Sequence, residues 1–262
     1  MGKEAAVSQA ILYDSTRCIG CRMCESACAG HWGIPYDEQI GSREQLSEHK
    51  LTTITTHGER YNRRLCMHCE EPTCVSVCPV GAFEKTALGP VIYHDDRCIG
   101  CRYCMLACPF AVPVYEWSKV LPRVRKCDMC ADRLASGRPT ACSEICPTGA
   151  TITGDRGQMI AEARRRIAEN PEQYCERIYG LEEAGGTSVL ILAAAPLEEI
   201  GLETDLPDAP LPALTWRVLS HVPDVVAVGS VLLGGVYWIT HRREEVAAAE
   251  NDSGAGVKEA KR

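Results

Sequence analysis

Sixteen of the 17 cysteines in this 262-residue chain fall into four groups of four, here called quartets. The first and third quartets have the spacing C-x2-C-x2-C-x3-C, whereas the middle gap is four residues in the second and eleven in the fourth. In chain order the quartets are Cys18, Cys21, Cys24 and Cys28; Cys66, Cys69, Cys74 and Cys78; Cys98, Cys101, Cys104 and Cys108; and Cys127, Cys130, Cys142 and Cys146. Proline directly follows the last cysteine of the second, third and fourth quartets.

This spacing suits a [4Fe–4S] cluster, whose four iron corners each need one thiolate. Three cysteines in a tight loop reach three corners, and the fourth, followed by proline, leaves in a new direction; in two-cluster ferredoxins it ligates the other cluster. Zinc is the first alternative, but its four-cysteine sites usually consist of two separated C-x2-C pairs. Disulfides are the second, but disulfide scaffolds are usually short secreted chains. The quartets therefore predict iron–sulfur clusters.

The hexapeptide RCIGCR occurs twice, at residues 17–22 and 97–102, and the similar tails CPVGA and CPTGA follow the second and fourth quartets. This repetition indicates a duplicated ferredoxin unit. Gly20 and Gly100 lie between the cysteines of the two hexapeptides. We expect the close approach of each loop to a cluster to leave no space for a side chain there.

Charge and motif content narrow the classes of function. The net charge of −7 argues against nucleic acid as a partner. Because the sequence has no recognisable nucleophile–base pair or nucleotide-binding loop, we expect a chain that carries electrons and does not catalyse a reaction itself. The first 18 residues contain neither an apolar run of signal-peptide length nor a twin arginine. We therefore expect that the chain carries no export signal of its own.

Several segments outside the quartets have patterns typical of regular structure. Residues 50–64, within the insertion between the first two quartets, alternate in a way that predicts a strand or hairpin. Residues 158–170 have helical periodicity and end at a proline, and the run Arg164–Arg166 is interpreted as solvent-facing. Residues 185–196 predict a short buried strand, and residues 206–212, with three prolines, predict an extended linker.

Residues 218–240 contain only one charged side chain, Asp224. A bilayer core of ~30 Å needs about 20 apolar residues in a helix, and Trp216, Tyr237 and Trp238 stand near the two ends, where aromatic residues favour the membrane interface. The segment predicts a single transmembrane helix, with a buried helix of a soluble protein as the alternative.

Lysine and arginine are more frequent after this segment than before it, which predicts a cytoplasmic C-terminus and a cluster domain on the periplasmic side.

Two residues outside the quartets, His221 and Cys175, could do chemistry of their own. His221 is interpreted as an interfacial side chain, with a contact to a heme or quinone site of a partner as the alternative. Cys175 lies outside every quartet and is interpreted as an unligated thiol.

The cysteine-rich stretches resemble the four-cluster ferredoxin-like subunits of membrane-bound respiratory oxidoreductases. The closest resemblances are to the beta subunit of membrane-bound formate dehydrogenase and to the iron–sulfur subunit of periplasm-facing membrane-bound [NiFe] hydrogenase. The resemblance covers residues 10–200 and rests on the stretches LYDSTRCIGCRMC, LCMHCEEPTCVSVCPVGA, CIGCRYCMLACPFAVP, KCDMCADR and ACSEICPTGA. All sixteen positions are cysteine, so four [4Fe–4S] clusters are expected; the one departure is that alanine, not proline, follows Cys28.

The resemblance implies an α+β fold of two intertwined 2[4Fe–4S] ferredoxin-like units with an insertion, followed by the single transmembrane helix. The implied parts are a cluster domain at 1–200, with an inner unit at about 62–125 and an outer unit from 10–35 and 126–155, a linker at 201–217, the helix at 218–240 and a polar tail at 241–262. The implied ligand sets cross between quartets: Cys18, Cys21, Cys24 and Cys146 for cluster 1; Cys28, Cys127, Cys130 and Cys142 for cluster 2; Cys66, Cys69, Cys74 and Cys108 for cluster 3; and Cys78, Cys98, Cys101 and Cys104 for cluster 4.

The implied function is an electron relay in the bacterial inner membrane. The chain would connect a catalytic subunit, containing molybdopterin or nickel–iron, with an integral membrane cytochrome b or quinone-binding subunit, while its helix contacts membrane lipid. A subunit of a molybdopterin reductase is one alternative. A freestanding ferredoxin and a zinc-structured interaction module are the others, and the hydrophobic C-terminal segment argues against the former.

Overall fold

The computed structural model describes residues 7–259, with side chains described as far as residue 248. The chain divides after Pro212 into two compact units. The strands of the first unit are β1 (Gln9–Asp14), β2 (Thr53–His57), β3 (Arg60–Arg64), β4 (Phe83–Lys85), β5 (Val91–Tyr93), β6 (Val114–Tyr115), β7 (Val124–Arg125), β8 (Thr151–Asp155) and β9 (Val189–Leu192). The α-helices are α1 (Met23–Trp32), α2 (Glu38–Ser42), α3 (Thr73–Ser76), α4 (Tyr103–Ala107), α5 (Ala131–Ala135), α6 (Ala141–Glu144), α7 (Arg156–Glu169), α8 (Leu211–Leu219) and α9 (Val222–Glu259).

A three-stranded sheet in the order β8-β1-β9 forms the centre of the first unit. Strand β1 pairs antiparallel with β8 and parallel with β9. Both β1 and β9 are continuous apolar runs, as expected of strands covered on both faces. On one face, Ile11 and Ile191 pack against the cysteine-bearing loops, and on the other Leu12 and Leu190 pack against helix α7.

Three two-stranded hairpins, β2-β3, β4-β5 and β6-β7, complete the described strands. The hairpin predicted within residues 50–64 is confirmed: β2 and β3 pair antiparallel with His57 opposite Arg60, and Gly58 in the turn has a φ of +64°. The other two hairpins share a small core of Phe83, Val91 and Tyr115. The buried strand predicted within residues 185–196 is also confirmed, as β9.

Helix α7 confirms the helix predicted at residues 158–170. It begins at Asp155, whose side chain accepts a hydrogen bond from Gln158 N at 2.9 Å, and ends just before Pro171. The interpretation of the Arg164–Arg166 run as solvent-facing is wrong for Arg166, which is only 4% exposed. Because α7 packs on β1, its inward face carries this arginine to a buried carboxylate partner, which local charge patterning does not reveal.

The second unit contains α9 and most of α8. One helical stretch in the described part of the chain, Leu211–Ala248, is long and apolar enough to cross a membrane by length and composition. It differs from the predicted helix at 218–240 because it begins within the predicted linker, continues into the predicted polar tail and is interrupted between α8 and α9. The interruption has a local cause, since Pro223 lacks an N–H and its ring would clash with the carbonyl of Leu219 in a continuous helix.

Candidate iron–sulfur centre

The thiols of the first quartet do not form a site by themselves. Cys18, Cys21 and Cys24 line a cavity whose opposite wall contains Cys146 of the fourth quartet. The backbone N–H of Thr151 donates a hydrogen bond to Cys146 Sγ at 3.4 Å. The cavity therefore presents three thiols from one tight loop and one from a distant part of the chain.

A second group of thiols joins the remaining first-quartet cysteine to the fourth quartet. Burial, and then the nearby Cys142 and Cys130, raise the pKa of the Cys28 thiol. Burial, and then Cys28, raise that of Cys127. The hydroxyl of Thr140 hydrogen-bonds Cys142 Sγ at 3.2 Å. The Cys28 and Cys127 thiols are buried so deeply that they would carry a charge only if a bound cation compensated it.

The second and third quartets exchange their last cysteines in the same way. Burial, followed by the neighbours Cys66, Cys108 and Cys74, raises the pKa of the Cys69 thiol. The structure thus places Cys108 of the third quartet with three cysteines of the second.

Cys78 of the second quartet lies with three cysteines of the third. Burial raises the pKa of Cys104 to about 11, with further contributions from Cys98, Cys101 and then Cys78. Backbone N–H groups again face sulfur, since Gly100 N lies 3.4 Å from Cys98 Sγ. Each of the four groups therefore contains three thiols from one quartet and one from another.

Two buried cations test whether these groups suit an anionic cluster. The guanidinium of Arg63 donates to the hydroxyls of Thr52 and Thr151, and the ammonium of Lys126 donates to the carbonyls of Val91 and Cys127. Both side chains are at least 95% buried, and within the described chain their hydrogen-bond partners are neutral. A buried cation without an opposite charge is costly. Iron-bound thiolates supply that opposite charge, so the donor set fits iron–sulfur clusters.

The glycines of the two RCIGCR loops have a different neighbour from the one expected. Gly20 and Gly100 have φ values of +68° and +73°, in the left-handed region that favours glycine. A Cβ at Gly20 would lie 2.5 Å from the ring of Tyr61, and one at Gly100 would lie 2.8 Å from the hydroxyl of Tyr115. A tyrosine packed against each loop, Tyr61 of β3 or Tyr115 of β6, therefore helps to exclude a side chain there.

Comparison with known proteins places these cysteines in a family. Two family models, each described as a 4Fe–4S dicluster domain, match residues 59–156 and 17–82. A protein of Nitratidesulfovibrio vulgaris is 39% identical over 257 residues, covering 93% of this chain and 70% of the relative. The hydrogenase-2 operon protein HybA of Escherichia coli O157:H7 is 34% identical over 239 residues, covering 74% of this chain and 73% of the relative. The formate dehydrogenase iron–sulfur subunit of Haemophilus influenzae is 33% identical over 254 residues, covering 89% and 80%.

The chain belongs to this family of iron–sulfur electron-transfer subunits of respiratory oxidoreductases. The resemblance noted in the sequence is therefore confirmed, as is the interpretation that the chain transfers electrons and is not the catalytic subunit. The presence of [4Fe–4S] clusters follows from both dicluster matches.

Two residues singled out in the sequence lie outside the thiol groups of this iron–sulfur subunit. The Cys175 thiol donates to the carbonyl of Ala195 at 2.9 Å, and burial raises its pKa. His221 is exposed within the C-terminal unit.

Sequence reasoning missed two tyrosines of the iron–sulfur subunit. Burial, and then the neighbouring Cys18 and Cys98, raise the pKa of Tyr13 and Tyr93, respectively. A repeated spacing could have revealed them, since each tyrosine stands five residues before the first cysteine of its RCIGCR loop.

Proposed function

We propose that this subunit holds four [4Fe–4S] clusters and relays electrons through them between a catalytic subunit and a membrane subunit. When bound, such a cluster accepts and passes one electron at a time. The proposed ligand sets are Cys18, Cys21, Cys24 and Cys146; Cys28, Cys127, Cys130 and Cys142; Cys66, Cys69, Cys74 and Cys108; and Cys78, Cys98, Cys101 and Cys104. They are supported by the four thiol groups described above, each of which mixes two quartets.

The ligand sets make two intertwined ferredoxin-like units. The second and third quartets form the inner unit, and the first and fourth form the outer unit. The central sheet supports this arrangement because β1, which precedes the first quartet, lies between β8 and β9, which follow the fourth. The overlap of the two dicluster matches across the second quartet also agrees with units that are not consecutive in the chain.

The contacts between thiol groups support a linear order of the four sites, and this is the observation that carries the relay. Cys24 of the first set interacts electrostatically with Cys142 of the second. Cys127 of the second set interacts with Cys66 of the third. A third contact links the last two sets, since Cys74 interacts with Cys104. These three interactions link each set to the next one in the proposed series.

The chain's own residues hold the sites and exclude water from them. Backbone N–H groups donate to the ligand sulfurs, as Met129 N does to Cys127 Sγ at 3.3 Å and Ala82 N does to Cys78 Sγ at 3.2 Å. Such hydrogen bonds and the surrounding burial set the potential of an iron–sulfur site. The apolar face of β1 and β9 closes the interior behind the loops.

The partners follow from the named relatives and from the C-terminal helix. Relatives named as formate dehydrogenase subunits and as a hydrogenase-2 operon protein support a catalytic partner of the molybdopterin or the nickel–iron class. We propose that α9 anchors the subunit once in the bacterial inner membrane, beside a cytochrome b or quinone-binding subunit. We also propose that the C-terminus is cytoplasmic and the cluster unit periplasmic, which Arg242 and Arg243, just after the apolar part of α9, support.

Metal analysis of the native complex tests this function. The complex is extracted anaerobically in mild detergent, and its iron, acid-labile sulfide, nickel, molybdenum and tungsten are measured. We expect about 16 iron atoms per subunit, with nickel indicating a hydrogenase partner and molybdenum or tungsten a pterin enzyme. A subunit that runs alone, without any of these three metals, contradicts the proposal.

The ligand sets have a separate test in paired cysteine variants. If Cys108 belongs with the second quartet, then Cys108→Ser and Cys69→Ser alter the same electron paramagnetic resonance signal, and Cys101→Ser alters a different one. Cys175→Ser is the matched control and leaves every signal unchanged. A Cys108→Ser variant that alters the same signal as Cys101→Ser contradicts the crossed sets.

A further inference from the structure

Arg63 is the largest fully buried side chain of the described residues, and it belongs to the insertion between the first two quartets. It lies on β3, and its neighbours along the strand are Asn62 and Arg64. Its Nε donates to Thr52 Oγ1 at 2.9 Å and its Nη1 to Thr151 Oγ1 at 3.2 Å. These hydrogen bonds fix the guanidinium in the interior, not on the surface of the hairpin.

The fixed guanidinium lies between the first and second proposed ligand sets. Thr151, which accepts its hydrogen bond, donates its own N–H to Cys146 Sγ of the first set. Cys142 and Cys127 of the second set and Cys24 of the first set are close electrostatic neighbours of the guanidinium. One side chain therefore faces two sites at once.

The charge of this side chain lacks a carboxylate counterpart. Arginine stays protonated in proteins, and the partners of Arg63 in the described chain are two hydroxyls and the cysteine thiols. Two other buried cations do have carboxylates, since Lys50 lies 2.7 Å from Glu25 and Arg166 lies 2.9 Å from Asp14. The negative charge that balances Arg63 must come from iron-bound thiolates of the two sets.

We propose that Arg63 is the shared counter-charge of the two sites of the outer unit and raises the reduction potentials of both. This proposal rests on the ligand sets of the proposed function. A fixed positive charge at low dielectric stabilises the reduced, more negative state of an iron–sulfur site more than its oxidised state. Arg63 is thus a positioning residue for electron transfer, and the insertion that carries it reaches into the relay as well as to the surface.

The test is a redox titration of the complete detergent-purified complex carrying Arg63→Gln, monitored by electron paramagnetic resonance. We expect the reduced-to-oxidised ratio at a fixed potential to fall at least tenfold for two of the four sites, which corresponds to 59 mV for one electron. The other two sites keep their potentials. Arg60→Gln, on the same strand but with a 47% exposed side chain paired with Glu199, is the matched control and shifts none.

Iron content is measured first, because a structural role alone would lower it. Arg63→Gln with full iron and four unchanged potentials overturns the proposal, and so does an equal shift of all four. If Arg63→Gln does not retain iron, the reduction potentials of the four sites are measured in Arg63→Lys instead. Lysine keeps the charge but loses the forked contact with Thr52 and Thr151. We therefore expect a shift of the same sign, at least twofold in ratio, at the same two sites, and unchanged potentials overturn the proposal.

The test also separates this proposal from the ligand sets on which it depends. Cys24→Ser and Cys142→Ser identify the signals of the two outer-unit sites. If these two variants alter the signals that Arg63→Gln shifts, both proposals hold. If they alter two distinct signals and Arg63→Gln shifts neither, the counter-charge fails alone. If Cys24→Ser and Cys142→Ser alter one and the same signal, the ligand sets fail.

Discussion

The guanidinium of Arg166 in helix α7 lies 2.9 Å from the carboxylate of Asp14 at the end of β1, measured from Nη1 to Oδ2. Both side chains are buried, and Asp14 also accepts hydrogen bonds from the hydroxyls of Tyr174 at 2.9 Å and Thr16 at 2.6 Å. Because Asp14 stands four residues before Cys18, this network ties the packing of α7 to the position of the first cysteine loop.

Replacing Asp14 by asparagine removes one of the two carboxylates that pair with the buried Arg166 and leaves Glu162 in place; breaking a buried pair costs about 3–5 kcal/mol. We expect the midpoint of thermal unfolding, followed by the visible absorbance of the iron–sulfur clusters, to fall by roughly 6–12 °C. Arg165→Gln is the control, since Arg165 is half-exposed and surface ion pairs contribute little. An Asp14→Asn midpoint equal to that of Arg165→Gln would show that the buried pair does not stabilise the fold.

The substitution Gly100→Ala is unfavourable for two reasons. The residue has a left-handed backbone conformation, and the new Cβ would overlap the hydroxyl of Tyr115. The backbone strain alone costs about 1–2 kcal/mol, and the overlap displaces the third-quartet loop further. We expect Gly100→Ala to lower the iron content of the complex. Gly137→Ala isolates the strain, because Gly137 has the same φ of +73° but no atom near its Cβ position; equal iron loss in both variants contradicts a role for Tyr115.

Removal of iron should leave thiols of very different reactivity. Burial raises the pKa of Cys24 to about 12, so at pH 9 only roughly 1 in 1,000 of these groups is a thiolate, the form that alkylating reagents attack. Cys21 in the same loop is exposed. After anaerobic chelation at pH 9, we expect peptide mapping by mass spectrometry to find Cys21 alkylated well before Cys24. Equal rates would mean that the loop opens once iron leaves.

The apolar part of α9 predicts membrane attachment that a single charge can weaken. An arginine near the centre of a membrane helix costs about 2.5–3.5 kcal/mol in insertion. We therefore expect Leu232→Arg to increase the fraction of the subunit that alkaline carbonate releases from membranes. The control substitution Val246→Arg lies beyond the apolar part of α9, after Arg242 and Arg243, and should leave that fraction unchanged. Full retention of Leu232→Arg in the membrane would argue that partners, not lipid, hold the subunit there.

The parts of the structure that depend on local patterns were predictable from the sequence. The loop chemistry follows from cysteine spacing, the β2-β3 hairpin from alternation and helix α7 from its periodicity and its terminal proline. The interruption near Ser220 was not predicted, although Pro223, which causes it, is visible in the sequence. A proline interrupts a helix only where the helix continues on both sides of it. The predicted helix began at residue 218, so Pro223 lay near its start and no interruption was expected.

Arg63 and Arg166 could not be assigned from the sequence because each makes a buried contact with a residue far away in the chain. Each arginine occurs in a run of polar residues that is typical of a solvated surface. The partner of Arg166 is 152 residues earlier, and that of Arg63 at Thr151 is 88 residues later. Burial of a charge is decided by such distant contacts, which no local pattern encodes.

The central sheet sets the order in which this subunit can be assembled on the ribosome. Strand β1, at residues 9–14, can find its parallel neighbour only after residue 192 has been synthesised. Contacts so distant in sequence form slowly, because a long loop must close first. The first cysteine loop is therefore synthesised long before the strand that completes the sheet beside it. We expect iron–sulfur clusters to be inserted into the completed chain and not into the nascent one.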